Sequence, residues 1–252
     1  MHFLRALRPF PASLLRASPW SALGAMLGAR IPSQCAICRA WPSRPLCDPC
    51  VARFAAPVAR CPTCAIPVPT GVERCSDCVR QPPPLDACIA ACAYAWPWPQ
   101  PIGHFKFQGE TGWAGAFAQL MRSAPWSAPA LERCDLVLPM PLAPARLRER
   151  GFNQSLELAR RLALDKTDPG LLLRVRDTPA QRGLARAERL LNLRGAFAVE
   201  PLRAAAVRGR RIVLVDDVMT SGASLFAAAR VLRAAGAAHL TGLVLARTDA
   251  SS

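Results

Sequence analysis

Four C-x-x-C pairs lie within one short stretch of the chain: Cys35/Cys38, Cys47/Cys50, Cys61/Cys64 and Cys75/Cys78. A C-x-x-C knuckle turns two sulfurs onto one centre, and a tetrahedral Zn2+ is satisfied by two such knuckles. Four knuckles in series therefore provide two sites of four thiolates each. Eight residues separate the first two pairs, ten the middle two and ten the last two. A disulfide framework is the rival reading. The near-regular repetition favours metal, and thiolates held for zinc imply a reducing compartment. Sequential pairing, first knuckle with second and third with fourth, closes each loop locally. Residues 35–80 have almost no hydrophobic periodicity, so the metal has to supply stability that so small a core cannot. The other three cysteines, Cys88, Cys92 and Cys134, sit among apolar residues and read as small buried hydrophobes.

With 252 residues the chain is long enough for one or two domains and a substantial core. Hydrophobic residues make up 52% and charged ones 19%, which excludes wholesale disorder. No window offers the roughly 20 uninterrupted apolar residues of a membrane span. Against 17 acidic residues stand 32 basic ones, a formal charge of +15. That balance favours an anionic partner: nucleic acid, a phosphorylated metabolite or an acidic lipid. Residues 1–34 carry Arg5, Arg8, Arg16 and Arg30 and no acid, and Pro9, Pro11 and Pro19 break any helix there. They read as a basic, poorly ordered leader, with a membrane-surface role as the weaker alternative.

After the cysteine region, Gln81-Pro82-Pro83-Pro84 reads as a stiff extended linker. Beyond it the pattern alternates between strands and helices. Residues 86–95 suggest a small-residue strand, and the run 96–101, with three prolines, a turn or crossing. A helix is expected over 111–122 and a short buried strand at Leu136-Val137-Leu138. An Arg-rich amphipathic helix is expected over 143–164, interrupted at Gly151. Residues 181–194 read as a helix or a mobile loop. Arg211–Val215 is a buried strand, Leu225–Ala235 a helix stopped by Gly236, and His239–Ala246 another strand. Strand–helix–strand with short apolar strands argues for an α/β fold with a parallel sheet.

The strongest site signal is Ile212-Val213-Leu214-Val215-Asp216-Asp217-Val218-Met219-Thr220-Ser221-Gly222-Ala223-Ser224. Aliphatic residues end in two adjacent carboxylates, followed by a small, hydroxyl-rich loop and a helix. Ligands of open α/β sheets bind at the carboxyl ends of strands. Small residues let backbone N–H groups approach a phosphate, with the helix dipole behind them. Side-by-side carboxylates repel a phosphate but suit sugar hydroxyls or a cation held beside it. The combination asks for a ligand with a phosphate, a diol and Mg2+. A Walker B strand would need a G-x-x-x-x-G-K-[ST] loop, which the chain lacks, and no G-x-G-x-x-G follows a strand. The plain alternative is an ordinary strand-to-helix turn with a capping hydroxyl, but unpartnered carboxylates there cost stability.

These thirteen residues resemble the 5-phosphoribosyl-1-pyrophosphate (PRPP) motif of type I phosphoribosyltransferases. Over about residues 35–247 the chain resembles the ComF/GntX family, associated with competence and DNA utilisation in bacteria. The likeness also rests on Phe105-Lys106-Phe107-Gln108-Gly109, Leu138-Pro139-Met140-Pro141-Leu142 and Arg146-Leu147-Arg148-Glu149-Arg150-Gly151-Phe152-Asn153-Gln154. It continues through Thr178, Gln181, Leu184, Arg186, Arg189, Asn192 and Gly195-Ala196-Phe197. The fold so implied is a type I phosphoribosyltransferase-like parallel sheet flanked by helices, at 86–250, preceded by a double zinc ribbon at 35–80 and the leader at 1–34.

The resemblance also implies roles. Asp216 and Asp217 become the catalytic carboxylates that hold the ribose hydroxyls of PRPP. The PRPP-binding stretch runs Val215, Asp216, Asp217, Val218, Met219, Thr220, Ser221, Gly222, Ala223 and Ser224, with Thr220 to Ser224 around the 5-phosphate. Pro139, Met140 and Pro141 occupy the place of the pyrophosphate loop. Lys106, Arg146, Arg148 and Arg150 are the candidate anion contacts. For the arginines a solvated helix face is the alternative, and for Lys106 an exposed strand end. Residues 176–194, with Arg182, Arg186 and Arg189, match a hood over the site. The implied chemistry is displacement at the anomeric carbon of PRPP by a nitrogen nucleophile, with pyrophosphate leaving and Mg2+ as its companion. The acceptor is not legible. A second class stays open: a non-catalytic single-stranded DNA-binding or processing factor that uses zinc ribbons and basic surface, with the PRPP site as sensor or relic. Expected partners are PRPP or a related phosphorylated sugar, single-stranded DNA and other competence proteins. The expected location is the bacterial cytoplasm, with peripheral contact at the inner membrane as a variant.

Overall fold

The structure is a computed structural model that describes residues 33–176, 193 and 195–249. The leader up to residue 32 and most of the expected hood lie outside the described residues. Two short helices belong to the cysteine region, α1 (Asp48–Phe54) and α2 (Ser76–Arg80), each starting directly after a cysteine. Then follow β1 (Ala87–Ala93), α3 (Pro99–Phe107), α4 (Trp113–Ser123), α5 (Ser127–Arg133) and β2 (Leu136–Pro139). The second half contains α6 (Pro144–Arg150), α7 (Gln154–Ala163), β3 (Leu172–Arg174), β4 (Phe197–Val199), β5 (Arg211–Met219), α8 (Ala223–Ala234) and β6 (His239–Arg247). Among the described residues no helix is long and apolar enough to cross a membrane.

Four strands form one parallel sheet in the order β1-β6-β5-β2. β3 and β4 pair separately and antiparallel. β5 and β6 are central and read as nearly continuous apolar runs, as strands covered on both faces must. Alternation along β5 divides its side chains between two cores. Ile212 and Leu214 join Leu225, Leu232, Leu240 and Val244 beneath α8. Val213 and Val215 join Phe105, Phe117, Met121, Leu158 and Leu162 beneath α3, α4 and α7. Gly242 allows α8 to lie close: a Cβ there would stand 2.6 Å from Leu225 Cδ2.

The element expected at 181–194 falls almost wholly outside the described residues; the other expected elements are present with shifted ends. The strand expected to stop at Val215 runs on through both carboxylates to Met219, because β6 continues to pair with it as far as Arg247. The helix expected over 143–164 divides at Gly151 into α6 and α7. Asn153 restarts it, its side-chain oxygen accepting from Ser155 N at 2.9 Å. The proline-rich run at 96–101 is a turn that leads into α3, with Pro99 and Pro101 in the first turn, where their missing N–H groups cost nothing.

The cysteine region packs directly on this sheet domain. Cys61, Cys64, Ala65 and Cys78 share a buried cluster with Leu85, Cys88, Met219 and Leu225. Ile37, Val51 and Phe54 lean on the opposite core, and Trp98 Nε1 donates to the Phe54 carbonyl at 2.8 Å.

Candidate functional site

The carboxyl end of β5 supplies both acids, and they differ. Asp216 is half-buried; its Oδ1 accepts from the Ser155 hydroxyl at 2.9 Å and from the Asp217 amide at 3.0 Å. Asp217 is 2% exposed; its Oδ1 accepts from the Val218 amide at 2.7 Å, and Lys106 Nζ lies 2.8 Å from its Oδ2. Lys106 thus stands on α3, not on a strand end, and its ammonium offsets the cost of burying the second acid. Burial, reinforced by the neighbouring Asp217, pushes the Asp216 carboxyl up to about 7, while Lys106 and the Ser155 hydroxyl pull the other way.

Beyond Asp216 the chain curls round a small cavity of about 40 Å3 lined by Asp216 and residues 218–225. Gly222 makes the curl with a φ of 78°, and a Cβ there would stand 2.5 Å from Met219 Cε. Only glycine fits both conditions. Gly222 caps α8, so the first-turn amides of a twelve-residue helix open onto the loop. A carboxylate, a tight small-residue loop and a helix N-terminus at one strand end can receive a phosphate ester that carries a sugar diol.

The anion-side candidates converge in part. Met140 N donates to the Val215 carbonyl at 2.9 Å, which seats Pro139-Met140-Pro141 beside the end of β5. Asn153 Nδ2 in turn donates to the Met140 carbonyl at 3.1 Å. Arg150 is half-buried over the Phe107 ring at 5.0 Å and donates to Gln154 Oε1 at 3.0 Å. Burial lowers its pKa while Asp217 and Asp216 counteract. Arg146 and Arg148 are exposed on α6, a helix with no buried residue.

The eight paired cysteines close into two tetrads, Cys35/Cys38/Cys47/Cys50 and Cys61/Cys64/Cys75/Cys78, with the sulfurs of each within 4.8 Å of one another. The pairing is sequential. The contacts Cys38 Sγ–Cys47 Sγ and Cys64 Sγ–Cys75 Sγ are both 3.6 Å. Zn–S bonds of about 2.3 Å in a tetrahedron require sulfurs about 3.8 Å apart, so either tetrad could hold zinc. Each contains one sulfur predisposed to the thiolate. Against the effect of burial, converging backbone N–H groups bring Cys35 down to about 6, and the Thr63 hydroxyl with nearby amides does the same for Cys61. None of the eleven cysteines is disulfide-bonded, and Cys88, Cys92 and Cys134 are buried.

Three participants have roles that the sequence does not show. Ser155 directly follows the Arg-rich motif but belongs to it only through its bond to Asp216. Asn153 lies inside that motif, and its cap-and-tether role needs the fold to be seen. Arg247 ends β6 as an isolated charge after an apolar run, and is 4% exposed against the loop after β5.

Residues 156–251 match the family described as phosphoribosyl transferase domain. The fold is accordingly that of a phosphoribosyltransferase-type domain carrying a cysteine module. The DNA utilization protein YhgH of Salmonella typhimurium is 31% identical over 227 residues, 86% of this chain and 98% of its own length. Competence protein F of Haemophilus influenzae is 31% identical over 193 residues, 74% of this chain and 84% of its own. Competence protein ComFC of Bacillus subtilis is 32% identical over 148 residues, 58% of each chain. The chain belongs to the ComF family.

Proposed function

We propose that this chain binds PRPP with Mg2+ at the carboxyl end of β5 and serves bacterial DNA uptake and utilisation, as the names of its relatives indicate for them. The observation that carries the reading is the succession at one strand end of Asp216, the Gly222 loop and the start of α8. In this reading Asp216 accepts from a ribose hydroxyl, and loop amides at Thr220 to Ser224 donate to the 5-phosphate. The 139–141 turn and Arg150 face the pyrophosphate. Asp217, closed against Lys106, keeps the local charge in balance. Mg2+ would supply further neutralisation of the pyrophosphate, with Asp216 the carboxylate nearest to hold it or its waters. If turnover occurs, it is pentosyl transfer from PRPP to a nitrogen acceptor, as in a glycosyltransferase. In the same reading, zinc fills both tetrads structurally, 35–80 and 86–250 are the working units behind a basic leader at 1–34, and the protein works in the cytoplasm. A structure determined with PRPP and Mg2+ tests this: the 5-phosphate belongs against residues 220–224, and density elsewhere or none refutes the assignment.

One observation favours a second activity beside the first. α6 presents Arg146 and Arg148 to solvent without burying a residue, on a chain with a formal charge of +15. Such a surface suits a single-stranded DNA backbone. Binding should weaken with salt with a log–log slope of about −0.7 per phosphate neutralised, and a salt-independent affinity would remove this reading.

A further inference from the structure

We propose that Arg247 is a positioning residue that makes the loop after β5 depend on the second cysteine tetrad. This rests on the PRPP reading for its ligand but not for its geometry. Arg247 is the last residue of β6 and is 4% exposed. Its Nε donates to the carbonyl of Cys64, itself a member of the second tetrad, at 3.0 Å. Its Nη1 reaches the other way, to the carbonyls of Met219 at 3.3 Å and of Thr220. One planar guanidinium therefore clamps a metal knuckle to the phosphate loop, a double task that a single-point ammonium cannot repeat.

The clamp acts on the part of the loop that matters. In a trans peptide the C=O and the next N–H point to opposite sides. Holding the Met219 and Thr220 carbonyls against Arg247 therefore turns the Thr220 and Ser221 amides away from it. Residues 218–225 line the cavity, and Arg247 does not. Those amides are thereby prearranged as donors before a phosphate arrives, the condition under which such donors bind best. A second line of contact runs in parallel. The Pro62 carbonyl, inside the same knuckle, accepts from Cys88 N at 2.6 Å. Cys88 Sγ lies 3.6 Å from Met219 Sδ, and Met219 is the side chain that fits over Gly222. The first tetrad's contacts lead elsewhere: among the described residues they run through Ile37, Val51 and Phe54, with Trp98 donating to the Phe54 carbonyl, on the opposite core.

Arg247→Lys, Cys61→Ser and, as the control on the first tetrad, Cys38→Ser are compared with the wild type by amide hydrogen exchange at residues 219–224 without ligand. Zinc content and PRPP–Mg2+ affinity are measured alongside. Cys61→Ser and Cys38→Ser each lose one of two zinc ions, but only Cys61→Ser speeds loop exchange. Arg247→Lys keeps both metals and speeds it about tenfold, weakening PRPP by about the same factor, the size of one lost charge-assisted hydrogen bond. Unchanged loop exchange in folded Arg247→Lys overturns the proposal, even if Cys61→Ser fails to fold. So does equal acceleration in Cys38→Ser. If loop exchange responds as stated while wild-type protein ignores PRPP, the coupling stands and the PRPP reading falls.

Discussion

The two cysteine tetrads have the same ligands and nearly the same spacing, yet they are embedded differently. The second is built into the core beneath α8: three of its four cysteines are buried there, and the Cys64 carbonyl is held by Arg247. The first rests on the opposite core, beneath α3, α4 and α7, with Cys38 exposed and partly buried Ile37, Val51 and Phe54 as its cushion. Identical local chemistry thus serves two ends. One tetrad is joined to the carboxyl end of β5, while the other steadies a flank. The difference arises from where each knuckle meets the sheet and cannot arise from the C-x-x-C pattern itself.

The largest effect should separate the two tetrads. Cys61→Ser removes both a metal ligand and a buried core residue, and metal loss compounded by an unfilled buried site belongs to the changes that cost more than about 4 kcal/mol. For a chain of this size that corresponds to a melting temperature lower by roughly 8–16 °C. Cys38→Ser, at an exposed ligand, should lower it by less than half as much. Thermal melts of both variants with metal analysis decide this, and equal losses would erase the distinction.

A smaller effect probes the loop beside the second tetrad. Gly222→Ala forces a left-handed residue and drives a Cβ into Met219 and Phe226. Strain and overpacking together should cost about 2–4 kcal/mol in denaturant titrations. Smaller again, Trp98→Phe removes the donor to the Phe54 carbonyl on the first tetrad's side. Its cost should be about 1–2 kcal/mol, with PRPP binding unaffected. A loss of PRPP affinity in Trp98→Phe would show that both tetrads reach the site.

A last effect concerns pH. The Asp216 carboxyl titrates near 7 in the folded chain against the ordinary 3.8. Between those values the folded state holds the proton that the unfolded state has released. This contribution to stability is therefore complete below about pH 4 and is lost as pH rises through about 7. Asp216→Asn should flatten that part of the stability–pH curve. A curve of unchanged slope would mean that Asp216 ionises normally.

Much of this was legible in the sequence because it is local. The tetrads follow from knuckle spacing, β5 and α8 from an apolar run that gives way to Gly222, and the break at Gly151 from the glycine that ends α6. What was not legible depends on partners distant in the chain. Lys106 meets Asp217 only when α3 crosses the end of β5, and prolines at 97, 99 and 101 conceal that α3 is a helix. Arg247 meets Cys64 across 183 residues. The β3–β4 pair is three residues a strand, too short for a period-two pattern to register. The inequality of Asp216 and Asp217 is likewise invisible in a motif that presents them side by side.

Calorimetric titration with PRPP and Mg2+ tests the central claim most directly, comparing wild type with Asp216→Asn. Binding at the end of β5 predicts a saturable heat with about one site per chain. The variant should bind about 10- to 100-fold more weakly, as expected for loss of a charged acceptor worth about 1.5–3 kcal/mol. No heat from wild type at millimolar PRPP, or an identical isotherm from Asp216→Asn, would contradict it.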